Sequence, residues 1–268
     1  MYSLETIDND DDNKTSLNVC EKKDKNYDLN KLKDITGIGP SHAKKLIQKG
    51  INFQKLYDEL KTNINFEKSV YLKELTKQQY IGLKYYDDLK IFIPRQEIKQ
   101  FQPIFKNILE TISKNIDFVF CGSFRRKIEK SNEIDILLTN SDLKVNDDLE
   151  KYNYLSKIIN ELKNNSILID DLTTSTTRYS GICKINNIAR RIDIRIVLYK
   201  SYIPSIVNFT GSWQHNINLR NIAMKQHYKL NEYGLFKING NKYDEILLKS
   251  EKDLYENLGL EYILPKDR

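Results

Sequence analysis

Two short segments, Glu133-Ile134-Asp135-Ile136 and Arg190-Arg191-Ile192-Asp193-Ile194-Arg195-Ile196, alternate charge with isoleucine. A period of two belongs to a β-strand, in which residues i and i+2 face the same side. Glu133 and Asp135 therefore share one strand face, with Ile134 and Ile136 on the other. Arg191, Asp193 and Arg195 likewise share a face opposite Ile192, Ile194 and Ile196. If the two strands are neighbours, three carboxylates converge. Clustered like charges are costly unless a cation neutralises them. Hard divalent ions suit oxygen ligands, and Mg²⁺ also takes substrate phosphates. Two such ions ~3.5–4 Å apart can clamp the attacking and leaving oxygens of phosphoryl transfer.

The residues before the first acid pair point the same way. Cys121-Gly122-Ser123-Phe124-Arg125-Arg126 reads as a Gly-Ser turn at a helix start. Such a turn offers backbone N–H groups and a hydroxyl to a phosphate, and Arg126 adds a guanidinium fork. Upstream, helical signals dominate residues 40–112. Pro40 opens a helix, Gly50 closes one, and Ile98, Phe101, Phe105, Ile108 and Ile112 recur on one helical face. Pro103 lies inside that pattern and is expected to kink or interrupt it. Residues 117–121, 133–138, 178–184 and 188–198 read as strands, with Asn186-Asn187 turning between the last two. A helix is expected near 150–163. This order of elements gives an α+β fold.

Composition sets the class. The 268 residues are 40% hydrophobic and 30% charged, a globular balance. No apolar run approaches the ~18 residues of a membrane span, and the N-terminus has no secretory pattern. Cys20, Cys121 and Cys183 are far apart, which excludes a disulfide framework and fits an intracellular protein. Residues 1–30 hold eight acids and four lysines, which leaves a net charge of +10 on residues 31–268. The first 30 residues are expected to be a disordered acidic tail, with Lys22, Lys23 and Lys25 as tail charges. The basic body suits a polyanionic partner, though solubility charge gives the same sum. His42, His215 and His227 form no metal-spaced cluster, and Tyr85-Tyr86 reads as packing.

Gly122-Ser123, Glu133-x-Asp135 and the later Asp193 resemble the nucleotidyltransferase signature. The longer runs resemble the X family of DNA polymerases: Cys121 to Arg126, Ile134 to Thr139, Arg190 to Arg195, Phe209-Thr210-Gly211-Ser212, Asn231-Glu232-Tyr233 and Leu258-Gly259-Leu260 before Pro265. The resemblance covers the chain from about Leu32 to its end. It implies a nucleotidyltransferase palm with a mixed β-sheet at residues 96–200. A helix-hairpin-helix subdomain at 31–95 would precede the palm, and a small α+β nucleotide-selecting subdomain at 201–268 would follow it. The implied activity is DNA-directed DNA polymerisation that fills short gaps in repair, with low processivity.

By that resemblance, Glu133, Asp135 and Asp193 hold two Mg²⁺ ions, with Mn²⁺ as a substitute, and Asp193 helps deprotonate the primer 3′-hydroxyl. Arg95, Ser123 and Arg126 bind the triphosphate of a deoxynucleotide, and Asn132 lies where the family uses a backbone N–H. Phe209 and Gly211 form the wall beside the sugar, at a cis Gly-Ser peptide in the family. Asn216 contacts the nascent base, and Arg220 the template. Arg191 and Arg195 flank Asp193 and orient it on the DNA side. Gly37, Gly39, Ser41 and Lys44 belong to Ile35-Thr36-Gly37-Ile38-Gly39-Pro40-Ser41 and the helix after it, which resembles the hairpin that holds a DNA phosphate and a monovalent cation. Lys45 and Lys49 lie on the same helix.

The implied partners are primer-template or gapped DNA, deoxynucleoside triphosphates and a DNA ligase, with a monomer and no membrane. The implied location is the nucleus of a cellular eukaryote, or the cytoplasm or virion of a virus. Three departures stand out. Glu133 occupies a position where the family has Asp, and one extra methylene calls for a local backbone adjustment. Asn208 replaces an aromatic residue that helps reject ribonucleotides, and Trp213 beside it either stacks near the base or packs in an interface. The family's N-terminal lyase domain has no counterpart in the acidic residues before Leu32, so no 5′-deoxyribose phosphate lyase activity is expected. Template-independent terminal transfer and a catalytically degenerate DNA-binding scaffold are the competing readings.

Overall fold

The architecture follows from where the apolar periodicities find partners. The computed structural model describes residues 27–62 and 66–268. The chain divides after Tyr86 into two compact units. The first unit is helical. Residues 27–33 form α1, followed by α2 (Pro40–Gln48), α3 (Phe53–Lys61), two short 3₁₀ turns and α4 (Lys77–Lys84). Gly39 is the N-cap of α2 and Pro40 its first residue, where a missing N–H costs nothing. Gly50 follows α2 at φ +69°, a backbone region that favours glycine. Asn52 caps α3, and Thr76 with Gln79 forms a reciprocal capping box on α4. Leu32, Ile35, Leu46, Leu56, Leu72 and Leu83 fill the core.

The tail expected over residues 1–30 needs correction at its end. Residues 27–30 are helical, and Leu29 packs against the core of this unit. That apolar contact supplies what a disordered segment lacks. Residues 1–26, including Cys20 and Lys22, Lys23 and Lys25, lie outside the described residues.

The second unit begins in α5 (Tyr86–Leu89) and is built on a five-stranded mixed sheet. Its strands are β2 (Ile116–Phe120), β4 (Glu133–Asn140), β5 (Leu168–Thr174), β6 (Arg178–Ile185) and β7 (Ile188–Ile196), in the order β2-β4-β7-β6-β5. Only β4 and β7 pair in parallel. Asn186 and Asn187 both have positive φ and form a two-residue hairpin turn between β6 and β7. A short ladder joins β1 (Ile93–Pro94) to β3 (Lys130–Ser131). Helices α6 (Arg95–Ile112) and α9 (Tyr154–Asn164) bury Ile98, Phe101, Phe105, Ile158 and Leu162 with the isoleucines of the sheet. The helix expected near 150–163 is divided. Asn153, in a left-handed conformation, separates α8 (Asn146–Tyr152) from α9.

Helix α6 runs unbroken through Pro103, against the expected interruption. Pro103 and Lys99 are both exposed, so the carbonyl that loses its helical partner faces water, while the buried face keeps its packing. On the other side of the sheet, α7 (Gly122–Arg125) and α10 (Tyr202–Thr210) approach β4, and Ile206 packs with Cys121 and Leu137. The chain ends in α11 (Trp213–Lys225), a three-stranded antiparallel sheet of β8 (Tyr228–Leu230), β9 (Leu235–Asn239) and β10 (Lys242–Ile246), and α12 (Glu251–Asn257). Cys121 and Cys183 are free and buried.

Glu59 closes the loop of the first unit. Its carboxylate accepts from Ser69 Oγ at 2.8 Å and from the N–H groups of Val70, Tyr71 and Leu72 at 2.6, 2.8 and 3.0 Å. Burial alone would raise this carboxyl, but those hydrogen bonds outweigh it and hold the group below the usual glutamate range. Its stabilising contribution is therefore complete above the ordinary glutamate pKa and is lost as pH falls through the lowered folded value. Glu59→Gln is expected to destabilise the protein by about 1–3 kcal/mol at pH 7. Denaturant melts of the variant should also lose part of the wild-type decline in stability on acidification.

Candidate active site

In the parallel pair, Glu133 lies opposite Arg191, Ile134 opposite Ile192, and Asp135 opposite Asp193. Ile134, Ile136, Ile192 and Ile194 are buried on one face. The alternation then forces Glu133, Asp135 and Asp193 onto the other, where each offers an oxygen within 4.8 Å of the others'. Burial first, and then the charges of Glu133 and Asp193, push the Asp135 carboxyl up to about 7. Burial also raises Glu133, against the opposing pull of Arg191. Arg191 Nε lies 3.1 Å from Glu133 Oε2, and its Nη2 lies 3.4 Å from Asp193 Oδ2. Among the described residues Asp193 Oδ1 is buried without a hydrogen-bond partner. Three hard oxygen donors, one orphaned and one raised by burial and by its neighbours, fit a divalent cation.

Gly122 is dictated by this cluster. Its φ is +53°, and a Cβ there would sit 2.1 Å from Asp135 Oδ2. The neighbouring Cys121 N–H donates to the Asp135 carbonyl at 2.8 Å. Ser123 Oγ donates to the buried Ser131 Oγ at 2.7 Å. Arg126 Nη1 donates to the Thr210 carbonyl at 2.5 Å, and its backbone N–H donates to the Gly122 carbonyl at 3.3 Å. Arg95, the first residue of α6, stacks over Phe124 at 4.2 Å and donates to the Phe124 carbonyl. The β1–β3 ladder sets Arg95 one residue beyond Pro94 and Asn132 one beyond Ser131. Asn132 is exposed.

The Gly211-Ser212 peptide is cis. Phe209 packs with the Cys121 and Leu137 cluster. Of the two arginines flanking Asp193, Arg191 reaches its carboxylate, whereas Arg195 lies over the Phe209 ring at 4.5 Å. A cavity of about 500 Å³ is lined by Arg178, Arg195, Phe209, Glu232 and Tyr233, but by none of the three carboxylates. Asn216 Nδ2 donates to the Asn208 carbonyl at 2.7 Å, and Arg220 Nη2 donates to Asn208 Oδ1 at 2.7 Å. Trp213 is 76% exposed.

The first unit gathers Gly37, Gly39, Ser41 and Lys44 separately, around the N-terminus of α2. Gly37 has φ +88°, and its carbonyl accepts from Gln79 Nε2 at 2.8 Å. Ser41 and Lys44 are exposed on the first turns of α2.

Comparison with known families agrees with this arrangement along almost the whole chain. Residues 30–90 match the fingers domain of DNA polymerase lambda, residues 92–199 the DNA polymerase beta palm, and residues 205–268 the DNA polymerase beta thumb. The chain belongs to the X family of DNA polymerases.

Among its X-family relatives is DNA polymerase lambda of Arabidopsis thaliana, 28% identical over 95% of this chain and 49% of the relative. DNA polymerase lambda of Rattus norvegicus is 28% identical over 74% of this chain and 36% of the relative. DNA nucleotidylexotransferase of Xenopus laevis is 27% identical over 73% and 45%. The chain thus spans about half or less of the length of these curated relatives. No helix among its described residues is long and apolar enough to cross a membrane.

Within this X-family palm, the structure adds residues that the sequence motifs did not single out. Arg178 pairs in register with Arg195, and its Nη2 lies 4.0 Å from Asp193 Oδ2. The Asn186-Asn187 turn carried the signal, because a two-residue hairpin fixes the register and sets position 178 opposite 195. Arg125 forks onto Glu251 of α12 at 2.5 and 3.0 Å and donates to Thr210 Oγ1 at 2.7 Å. Arg268 Nη1 also reaches Glu251, at 2.7 Å. Nothing local to α7 identified a partner 126 positions away.

The raised Asp135 carboxyl gives a metal-linked prediction. Its ionised form opposes folding, so stability falls as pH rises from the ordinary aspartate range to about 7 unless a cation is bound. Thermal melts should show a Mg²⁺-induced rise in Tm that is larger at pH 7.5 than at pH 5.5. Asp135→Asn and Gly122→Ala should each lose most of that rise.

Proposed function

We propose that this chain transfers a deoxynucleotide to a primer 3′-hydroxyl under the direction of a DNA template, filling short gaps during repair. The observation that carries the reading is the in-register convergence of Glu133, Asp135 and Asp193 beside Gly122-Ser123 and Arg126. The matched palm, thumb and fingers models support it. Deoxynucleoside triphosphates and gapped or primed DNA are the substrates. An intracellular monomer that hands its product to a DNA ligase completes the reading, and no lyase step is assigned to the described residues.

Glu133, Asp135 and Asp193 would hold two Mg²⁺ ions, whose charge stabilises the attacking and leaving oxygens. Asp193 takes the proton of the 3′-hydroxyl at a carboxylate oxygen. The freed oxygen forms a bond to the α-phosphorus as the bond to the bridging oxygen breaks, and pyrophosphate leaves. Arg95, Ser123 and Arg126 grip the triphosphate, with Arg126 braced on the Thr210 carbonyl. Arg191 holds Glu133 and Asp193 at a fixed separation. Asn132, Phe209 and Gly211 line the nucleotide, Asn216 reads the nascent base, and Arg220 touches the template. Gly37, Gly39, Ser41 and Lys44 hold a DNA phosphate through backbone N–H groups and a monovalent cation at the hairpin carbonyls.

Primer extension on a one-nucleotide gap tests the reading, with each deoxynucleotide, one ribonucleotide, and Mg²⁺ or Mn²⁺. Template-matched incorporation is expected, reduced at least about 10³-fold in Asp193→Ala with DNA binding retained. Untemplated addition would replace the reading with terminal transfer. DNA binding without incorporation under either metal would replace it with a scaffold. The ribonucleotide lane is expected to show measurable insertion, because Asn208 lacks an aromatic ring.

A further inference from the structure

Asn208 touches both residues assigned to the nascent base pair. It lies in the last turn of α10, whose final carbonyls lack intrahelical partners. Asn216 and Arg220 are four residues apart on α11 and therefore share a face. The Asn208 carbonyl accepts from Asn216 Nδ2 at 2.7 Å, so Asn216 caps the end of α10. Asn208 Oδ1 accepts from Arg220 Nη2, also at 2.7 Å. Arg220 is otherwise loosely held. Its side chain is 46% exposed, and Glu232 lies 3.8 Å away.

A free arginine at such a site samples many rotamers, and fixing it on a template costs entropy at the moment of selection. A short side-chain acceptor already in place meets part of that cost in advance. The amide oxygen of Asn208 reaches Arg220 from one helical turn of α10. An aromatic side chain at position 208 has no carbonyl to offer. We propose that Asn208 is a specificity-determining residue of this chain. Its side chain preorganises Arg220, so that the arginine gauges the position of the template base, and base discrimination depends on the Asn208–Arg220 hydrogen bond.

The inference rests on the proposed polymerase reading, and the test separates the two. Single-turnover gap filling is measured for matched and mismatched deoxynucleotides in wild type, Asn208→Ala, Arg220→Ala and the double variant, with Asn208→Asp as the acceptor-retaining control. Asn208→Ala is expected to lower kcat/KM for the matched nucleotide about tenfold, with little change for mismatches, so discrimination falls by the same factor. In the Arg220→Ala background the same substitution is expected to change it less than about twofold. Asn208→Asp should retain discrimination, because it keeps the acceptor. Equal effects in both backgrounds, or faster matched insertion by Asn208→Ala, would overturn the proposal while leaving the polymerase reading intact. Absence of incorporation by wild type would overturn the reading itself. Melting temperatures of the variants show whether a loss is one of folding.

Discussion

The parallel pairing of β4 with β7 is the constraint on which the site depends. It sets Asp135 beside Asp193 and Glu133 beside Arg191. A slip of one residue would send the acids into the isoleucine core and the isoleucines to the surface. The core of the sheet resists that slip, because Ile134, Ile136, Ile192 and Ile194 are all buried with residues of α6 and α9. Hydrophobic burial thus holds together three carboxylates that repel one another. Arg191 offsets part of the repulsion, while burial and then the two neighbouring carboxylates raise the Asp135 carboxyl.

The surroundings are fitted to that pair of strands. Gly122 exists where it does because any side chain would occupy the place of Asp135 Oδ2. Arg126 ties the turn after Gly122 to the Thr210 carbonyl, and Arg125 ties the same turn to Thr210 Oγ1 and Glu251. The short α7 therefore sits between the strands that carry the carboxylates and the C-terminal elements. Glu251 is also gripped by Arg268, so one largely buried carboxylate joins α7 to the last residue of the chain. Removing one member of such a group leaves charge buried without its partner.

Much of this was legible in the sequence. The period of two in Glu133–Ile136 and Arg190–Ile196 predicted both strands and their faces, and Asn186-Asn187 predicted the hairpin. The helical face from Ile98 to Ile112 was equally plain, but its helix passes Pro103 because exposure leaves the lost hydrogen bond to water. The acidic tail ends earlier than composition suggests, because Leu29 packs against the core of the first unit. At the site, adjacency in sequence suggested that Arg195 serves Asp193 as Arg191 does. Side-chain direction decides otherwise, placing its guanidinium over Phe209. The bonds of Asn208 to Asn216 and Arg220 join two helices, and no local pattern encodes a contact of that kind.

On the proposed reading, the three carboxylates on the paired strands together hold two cations that serve nucleotidyl transfer. Counting bound Mn²⁺ by electron paramagnetic resonance tests it most directly, with gapped DNA and a non-hydrolysable deoxynucleoside triphosphate present. The account predicts two ions per chain, with at least one lost in Asp135→Asn. Full occupancy in that variant, or no bound ion in the wild type, would contradict it.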